Sequence, residues 1–359
     1  MQENSARIRR NIIGEAGLDV LKERDLRIDY ARAVAVLMMI LQHVCIYLHA
    51  QDIEVTYKNA ILIELILMIT KSAVPLFVII TGSVLLSNEK DFSIEKAFSL
   101  SFRMIKIIVV WNVISALYFY VNDGLKIALG KLVYGNYWYL YMLAALYLLM
   151  PVVNLILRYG GLKISLYLVI ASVIYQGWLS YSLTLPDVVY KYAIRFVDKF
   201  QLSLITGYTG LLLIGALIRN SSFSNIKYNK KEETCLGIGT CALMLGLLLY
   251  SIFEAKKGNH YNYIYFDEFT ATIIASMIFM LFLRKRNLRT WRGGRFIGTH
   301  SMGIYIVSNM VLDAYRRIPL CIEAFSNNFL GIAICWTMIV IPTCLIVWIL
   351  SKTPLKKFI

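Results

Sequence analysis

The chain has 359 residues, 58% of them hydrophobic and 16% charged, with a mean hydropathy of +0.63 and a formal net charge of +15. A soluble domain carries roughly a quarter charged residues, so this composition excludes a soluble globular protein and indicates a polytopic membrane protein. The Lys and Arg surplus falls in short segments between apolar runs, which is a topology signal, and no nucleic-acid-binding motif accompanies it.

Residues 1–27 are polar and basic, without the apolar stretch of a cleavable leader. They are expected to form a cytosolic tail in which Ile8, Ile12, Ile13, Leu18, Val20 and Leu21 make one side of an amphipathic surface helix. Ten apolar segments follow, at about 28–49, 60–87, 104–121, 136–157, 162–180, 201–219, 235–253, 267–284, 297–315 and 329–351, each long enough to cross a bilayer. Backbone groups in hydrocarbon must bond within their own segment, so the expected fold is all-α, with about ten transmembrane helices. The membrane domain runs over 28–351, and 352–359 form a second tail. Of the 37 Lys and Arg, 25 fall on the side of the two termini and 10 on the other, which predicts that both termini are cytosolic. The loops are too short for a soluble catalytic domain, so chemistry belongs to the bundle. No inverted repeat of the kind common in secondary transporters is evident.

The first segment carries Arg27, Asp29, Arg32 and His43 in an otherwise lipid-like run. At the helical pitch, His43 falls about 20° from Arg32 and roughly 16 Å deeper, near the middle of a hydrocarbon core about 30 Å thick. An ionisable group at that depth marks a functional site by default, and a neutral imidazole is a ready general base. The plainer reading is a histidine hydrogen-bonded to a neighbouring helix. Asp29 and Arg32 share its face, and their i,i+3 spacing also fits a salt bridge at the helix end. Asp29 is too far along the helix to orient the His43 ring.

In the second segment Lys71 interrupts the apolar run, with Glu64 a candidate partner, and Pro75 is expected to kink the helix. A cation at a kink shapes a cavity, which makes Lys71 a candidate substrate contact. Arg103 and Lys106 open the third segment at i,i+3, a pair that suits a phosphate as well as ordinary membrane anchoring. Asn136-Tyr-Trp138-Tyr-Leu-Tyr141 reads either as an interfacial aromatic belt or as a surface for stacking a sugar or cofactor ring. The ninth segment opens with Gly298-Thr-His300-Ser301-Met-Gly303-Ile-Tyr305, in which His300 and Ser301 are adjacent and point apart. His49 and His260 show no ligand spacing. Cys45, Cys235, Cys241, Cys321, Cys335 and Cys344 are scattered, with no metal-binding pattern and no expected disulfide.

Four stretches together resemble the acyltransferase-3 family of integral membrane acyltransferases, from about residue 25 to 350. They are Arg27…Asp29…Arg32…His43, Ser72-Ala-Val-Pro75-Leu-Phe-Val-Ile-Ile-Thr-Gly82, Tyr137-Trp138-Tyr-Leu-Tyr141…Leu-Tyr147-Leu-Leu-Met-Pro151, and Ser301-Met-Gly303-Ile-Tyr305. The family's basic pair on the third helix falls on Arg103 and Lys106. Many members carry a histidine soon after the tyrosine that matches Tyr305, where this chain has Ile306-Val-Ser308-Asn309.

The resemblance implies a multi-pass inner-membrane or plasma-membrane O-acyltransferase. Such enzymes move an acyl group, usually acetyl from acetyl-CoA, to a hydroxyl of a surface polysaccharide or glycolipid. It implies His43 as the essential base, Asp29 and Arg32 organising the cytosolic end of its pocket, and Arg103 and Lys106 on the CoA phosphates. Lys71, Trp138, Tyr141 and Tyr305 are the candidate acceptor contacts, and no metal is expected. Two rivals share the intramembrane charges: a transporter or flippase for a lipid-linked sugar, and a non-catalytic partner of a polysaccharide synthase.

Overall fold

The computed structural model describes residues 25–49, 57–86, 91–133, 135–182, 207–219, 267–284, 291–318 and 329–359, with isolated helical positions between 189 and 249. The N-terminal tail to residue 24, His260, Cys235, Cys241 and Cys321 lie outside the described residues, as do the side chains of Glu64 and His49. Every regular element among the described residues is helical. In chain order these are α1 (Leu26–His49), α2 (Tyr57–Thr70), α3 (Ala73–Leu85), α4 (Ile94–Asp123), α5 (Leu125–Gly130), α6 (Trp138–Tyr159), α7 (Gly161–Ser182), α8 (Tyr208–Arg219), α9 (Asp267–Arg284), α10 (Arg292–Thr299), α11 (Ser301–Arg316) and α12 (Phe329–Leu350).

Among the described residues, six helices are long and apolar enough to cross a membrane, and α8 and most of α9 are shorter apolar helices. The chain is a multi-pass membrane protein. Of the ten expected segments, 235–253 is described only at isolated positions. Two others differ from expectation in having breaks.

The second segment is broken at Lys71-Ser72, between α2 and α3. Pro75 lies in the first turn of α3, where a missing N–H costs little. Its ring ends the α2 ladder, and the Ser72 hydroxyl donates to Ile69 O at 2.6 Å across the turn. The ninth segment likewise divides at His300, with α10 drawn from the basic stretch that was expected to be a loop.

Helix ends follow local chemistry. Ser93 caps α4 by accepting from Lys96 N at 3.2 Å, and Gly124 at φ 83° ends that helix where a side chain would be strained. Exposed apolar side chains such as Phe98, Val109 and Val121 on α4, and Leu330 and Ile341 on α12, give the bundle a lipid-compatible exterior.

The interior relies on small residues where backbones cross. A methyl on Gly82 of α3 would overlap Leu212 O of α8, and one on Gly215 of α8 would overlap Ile79 O of α3. Gly298 of α10 lies against the Asp29 backbone of α1 in the same way, and Tyr30 accepts a hydrogen bond from Trp291 N at 2.7 Å. Trp336 of α12 donates to Leu37 O of α1 at 3.1 Å, and Thr272 of α9 donates to Gln176 of α7 at 2.7 Å.

Polar groups tie both ends of the bundle. At one end Asp25 pairs with Arg27 at 2.9 Å and Arg219 at 3.9 Å, while Arg27 also donates to Leu283 O at 2.8 Å. Burial alone would raise the Asp25 carboxyl, but the hydrogen bonds and charge of Arg27, joined by Arg219, hold it below the ordinary carboxylate value. At the other end Arg317 donates from both guanidinium nitrogens to Asp123, each at 2.7 Å, and to Asp313 at 2.9 Å.

Candidate active site

Six helices and the last residue of the chain converge on one cavity of about 310 Å³. α1 contributes Arg32 and Met39, seven residues apart and therefore on one face. α4 contributes Leu100, Arg103, Met104 and Ile107, the i, i+3, i+4, i+7 stripe of a helix facing inward. α6 presents Tyr139, Leu143 and Tyr147, each one turn from the next. Val74, Phe77 and Thr81 come from α3, and Ser301, Met302 and Tyr305 from the start of α11. Thr299 and Ile359 complete the wall.

The polar groups gather toward the starts of α1, α4 and α11. Arg32 and Arg103 line this end, and both guanidinium charges act on the Tyr147 phenol. Arg32 also acts on Tyr139. Two cations from separate helices beside hydroxyls make a site for a multiply charged anion.

The other end of the cavity is apolar and aromatic. Tyr139 packs edge-on against Tyr305 with centroids 5.7 Å apart, and Phe77 lies 5.7 Å from Tyr139. Tyr305 donates its hydroxyl to Asn136 O at 2.5 Å, which fixes the ring at the cavity floor. From Arg32 to Met39 the depth along α1 is about 10 Å.

The residues singled out in the sequence are thus partly brought together. Arg32, Arg103 and Tyr305 share the cavity. His43 lies on the α1 face of Arg32 and Met39, but one turn beyond Met39, and is not among the lining residues. It is half-buried, and the Arg316 charge of α11 acts on its ring.

Asp29 is buried where α10 packs on α1. Lys106 points away from the cavity, its ammonium 4.5 Å above the exposed Phe102 ring. Lys71 occupies the α2–α3 turn, half-buried. Trp138 is exposed, and the Tyr141 hydroxyl accepts from Asn112 Nδ2 at 2.5 Å. His300 stacks on Phe296 with centroids 4.5 Å apart.

Tyr139 and Tyr147 fall inside the resembling stretch with no role assigned to them, and with Leu143 they line the cavity at an i, i+4, i+8 spacing visible in the sequence. Ile359 carries no such signal, because only the folded chain brings it to the cavity. Among the described residues, no three His, Cys, Asp or Glu side chains are placed to hold a metal ion. Cys45 and Cys344 are free thiols.

No curated protein and no solved structure matches the chain. A family model described as an acyltransferase domain matches residues 25–352, which takes in every helix from α1 to α12 and all but the last residue of the cavity wall. With a helical membrane bundle and a cavity lined by Arg32 and Arg103 inside the matched span, the chain belongs to the acyltransferase-3 family and is a membrane acyltransferase.

Proposed function

We propose that the protein is an O-acetyltransferase of the cell membrane, with both termini cytosolic, that moves acetyl from acetyl-CoA to a hydroxyl of a surface polysaccharide or its lipid-linked precursor. The observation that carries this reading is the convergence of Arg32 and Arg103 on one cavity whose remaining wall is largely apolar and aromatic. The phosphates of CoA meet the two cations at the mouth, and the pantetheine arm lies along Met104, Leu143 and Met39 toward the floor. Lys106 and the exposed Arg292 and Arg295 raise the local concentration of the donor from outside the cavity.

His43 is the base in this scheme. Its ring takes the proton of the acceptor hydroxyl as that oxygen attacks the thioester carbonyl. The carbon–sulfur bond then breaks, the acyl group stays on the acceptor oxygen, and the CoA sulfur leaves as thiolate and is protonated. His43 shares the face of α1 that lines the cavity, one turn past Met39, so an acyl group carried beyond the floor meets it. Asp29, buried on α1 where its backbone meets Gly298 of α10, organises the cytosolic end of the pocket together with Arg32. Lys71, Trp138, Tyr141 and Tyr305 remain the acceptor contacts proposed for this reaction.

The test is transfer. Purified protein given radiolabelled acetyl-CoA and a surface glycan or its lipid-linked precursor is expected to label the carbohydrate. Movement of the glycan across a membrane without label would favour a transporter instead.

A further inference from the structure

The segment after α12 takes no part in the scheme above, yet it reaches the cavity. Thr353 caps a single 3₁₀ turn over Pro354–Phe358 by accepting from Leu355 N at 3.2 Å. That turn brings the chain across α4 and α11. Trp111 of α4, itself buried, donates its indole N–H to Phe358 O at 2.7 Å. At Gly303 of α11 an added Cβ would sit 2.8 Å from the Ile359 Cβ, so the absent side chain leaves the space that Ile359 fills. The Ile359 side chain then lines the cavity beside Arg103, Thr299, Ser301 and Met302.

We propose that Phe358 and Ile359 are a fixed wall of the donor site, which positions acyl-CoA against Arg32 and Arg103, with Trp111 as their clamp. The proposal rests on the reading of this cavity as the acyl-CoA site.

Two points of attachment on different helices distinguish a wall from a plug: the Trp111 hydrogen bond and the Gly303 recess. The cavity stays open with the segment in place. Freeing the segment leaves the buried Trp111 N–H without an acceptor, which opposes its swinging aside. The gem-dimethyl group of the pantetheine arm has in Ile359 a surface to pack on.

The test uses the full chain in detergent, with CoA as the titrant and the donor and acceptor kinetics measured separately. Wild type, Arg103→Ala, Trp111→Phe, Ile359→Asp and Ile359→Val are compared. Ile359→Asp and Trp111→Phe are expected to weaken CoA binding and raise the donor KM by about tenfold. The acceptor KM and kcat stay at their wild-type values, and Ile359→Val retains wild-type binding.

If Arg103→Ala loses CoA affinity while both wall variants bind as wild type, the wall is overturned and the donor-site reading stands. Tighter binding in Ile359→Asp overturns it too, since that is the behaviour of a plug. A lowered Tm with an unchanged donor KM assigns the segment a purely structural role and equally overturns the proposal. If wild type does not bind CoA, the donor-site reading fails and the wall fails with it.

Discussion

Arg32 of α1 and Arg103 of α4 line one cavity from separate helices, and both charges act on the phenol of Tyr147. Neither arginine is the obvious partner of the other in the sequence, where each has a nearer charged neighbour in Asp29 or Lys106. Packing redistributes one of these charges: Lys106 lies over the Phe102 ring, while the two arginines face one space.

The first prediction follows from that redistribution. Arg32→Ala and Arg103→Ala each remove a charged hydrogen-bond donor from the cavity and are expected to weaken CoA binding by about 10- to 100-fold. Lys106→Ala, whose ammonium lies outside, is expected to change affinity by less than about threefold. Calorimetric titration of the detergent-solubilised protein with CoA measures all three. Equal losses for Arg103 and Lys106 would place the phosphates outside the cavity.

The α3–α8 crossing gives a stability prediction. Gly82→Ala and Gly215→Ala each drive a methyl into the backbone carbonyl of the facing helix. Each is expected to destabilise the bundle by about 1–3 kcal/mol, the usual cost of overpacking, read as a lowered unfolding temperature in detergent. Gly130→Ala, where a methyl meets nothing within 4 Å, serves as the comparison and is expected to be neutral or slightly stabilising.

Acidification tests the tie at the end of α1. Asp25 is held below its ordinary value near 3.8, so its contribution to stability is present above that pH and is lost as pH falls through its value in the folded state. Asp25→Asn is therefore expected to lower the unfolding temperature slightly at pH 7 and to have no effect once the wild-type carboxyl is itself protonated. Melting curves of both proteins across about pH 2–7 check this. A difference that persists unchanged at the acid end would assign the loss to something other than the carboxylate charge.

The all-helical bundle is legible in the sequence because apolar runs of bilayer length leave the backbone no alternative to helix. The breaks inside those runs are less so. Pro75 was expected to bend one continuous helix; instead it starts a new one at α3, since a proline is tolerated in the first turn and the chain uses Lys71-Ser72 as the turn. His300 interrupts the ninth run without proline or a positive φ, and propensity gives no warning of it.

For the site, Arg32, Arg103 and Tyr305 were named from spacing and motif, and the folded chain places all three on the cavity. Ile359 escaped notice because its surroundings are long-range: Trp111 and Phe358 are 247 positions apart. His43 sits between these cases. The helical period puts it on the face of Arg32, but the depth at which the cavity stops depends on Tyr139 and Tyr305, which come from other helices.

The most direct measurement is acyl transfer by the His43→Ala variant. Membranes containing wild-type or variant protein are given radiolabelled acetyl-CoA together with the surface glycan or its lipid-linked precursor, and CoA affinity is measured in parallel. Wild type is expected to label the carbohydrate. His43→Ala is expected to lose at least about 100-fold in transfer rate while binding CoA as wild type does, because the histidine lies beyond the floor of the donor cavity. Undiminished labelling by His43→Ala, or no labelling by wild type, would contradict the account.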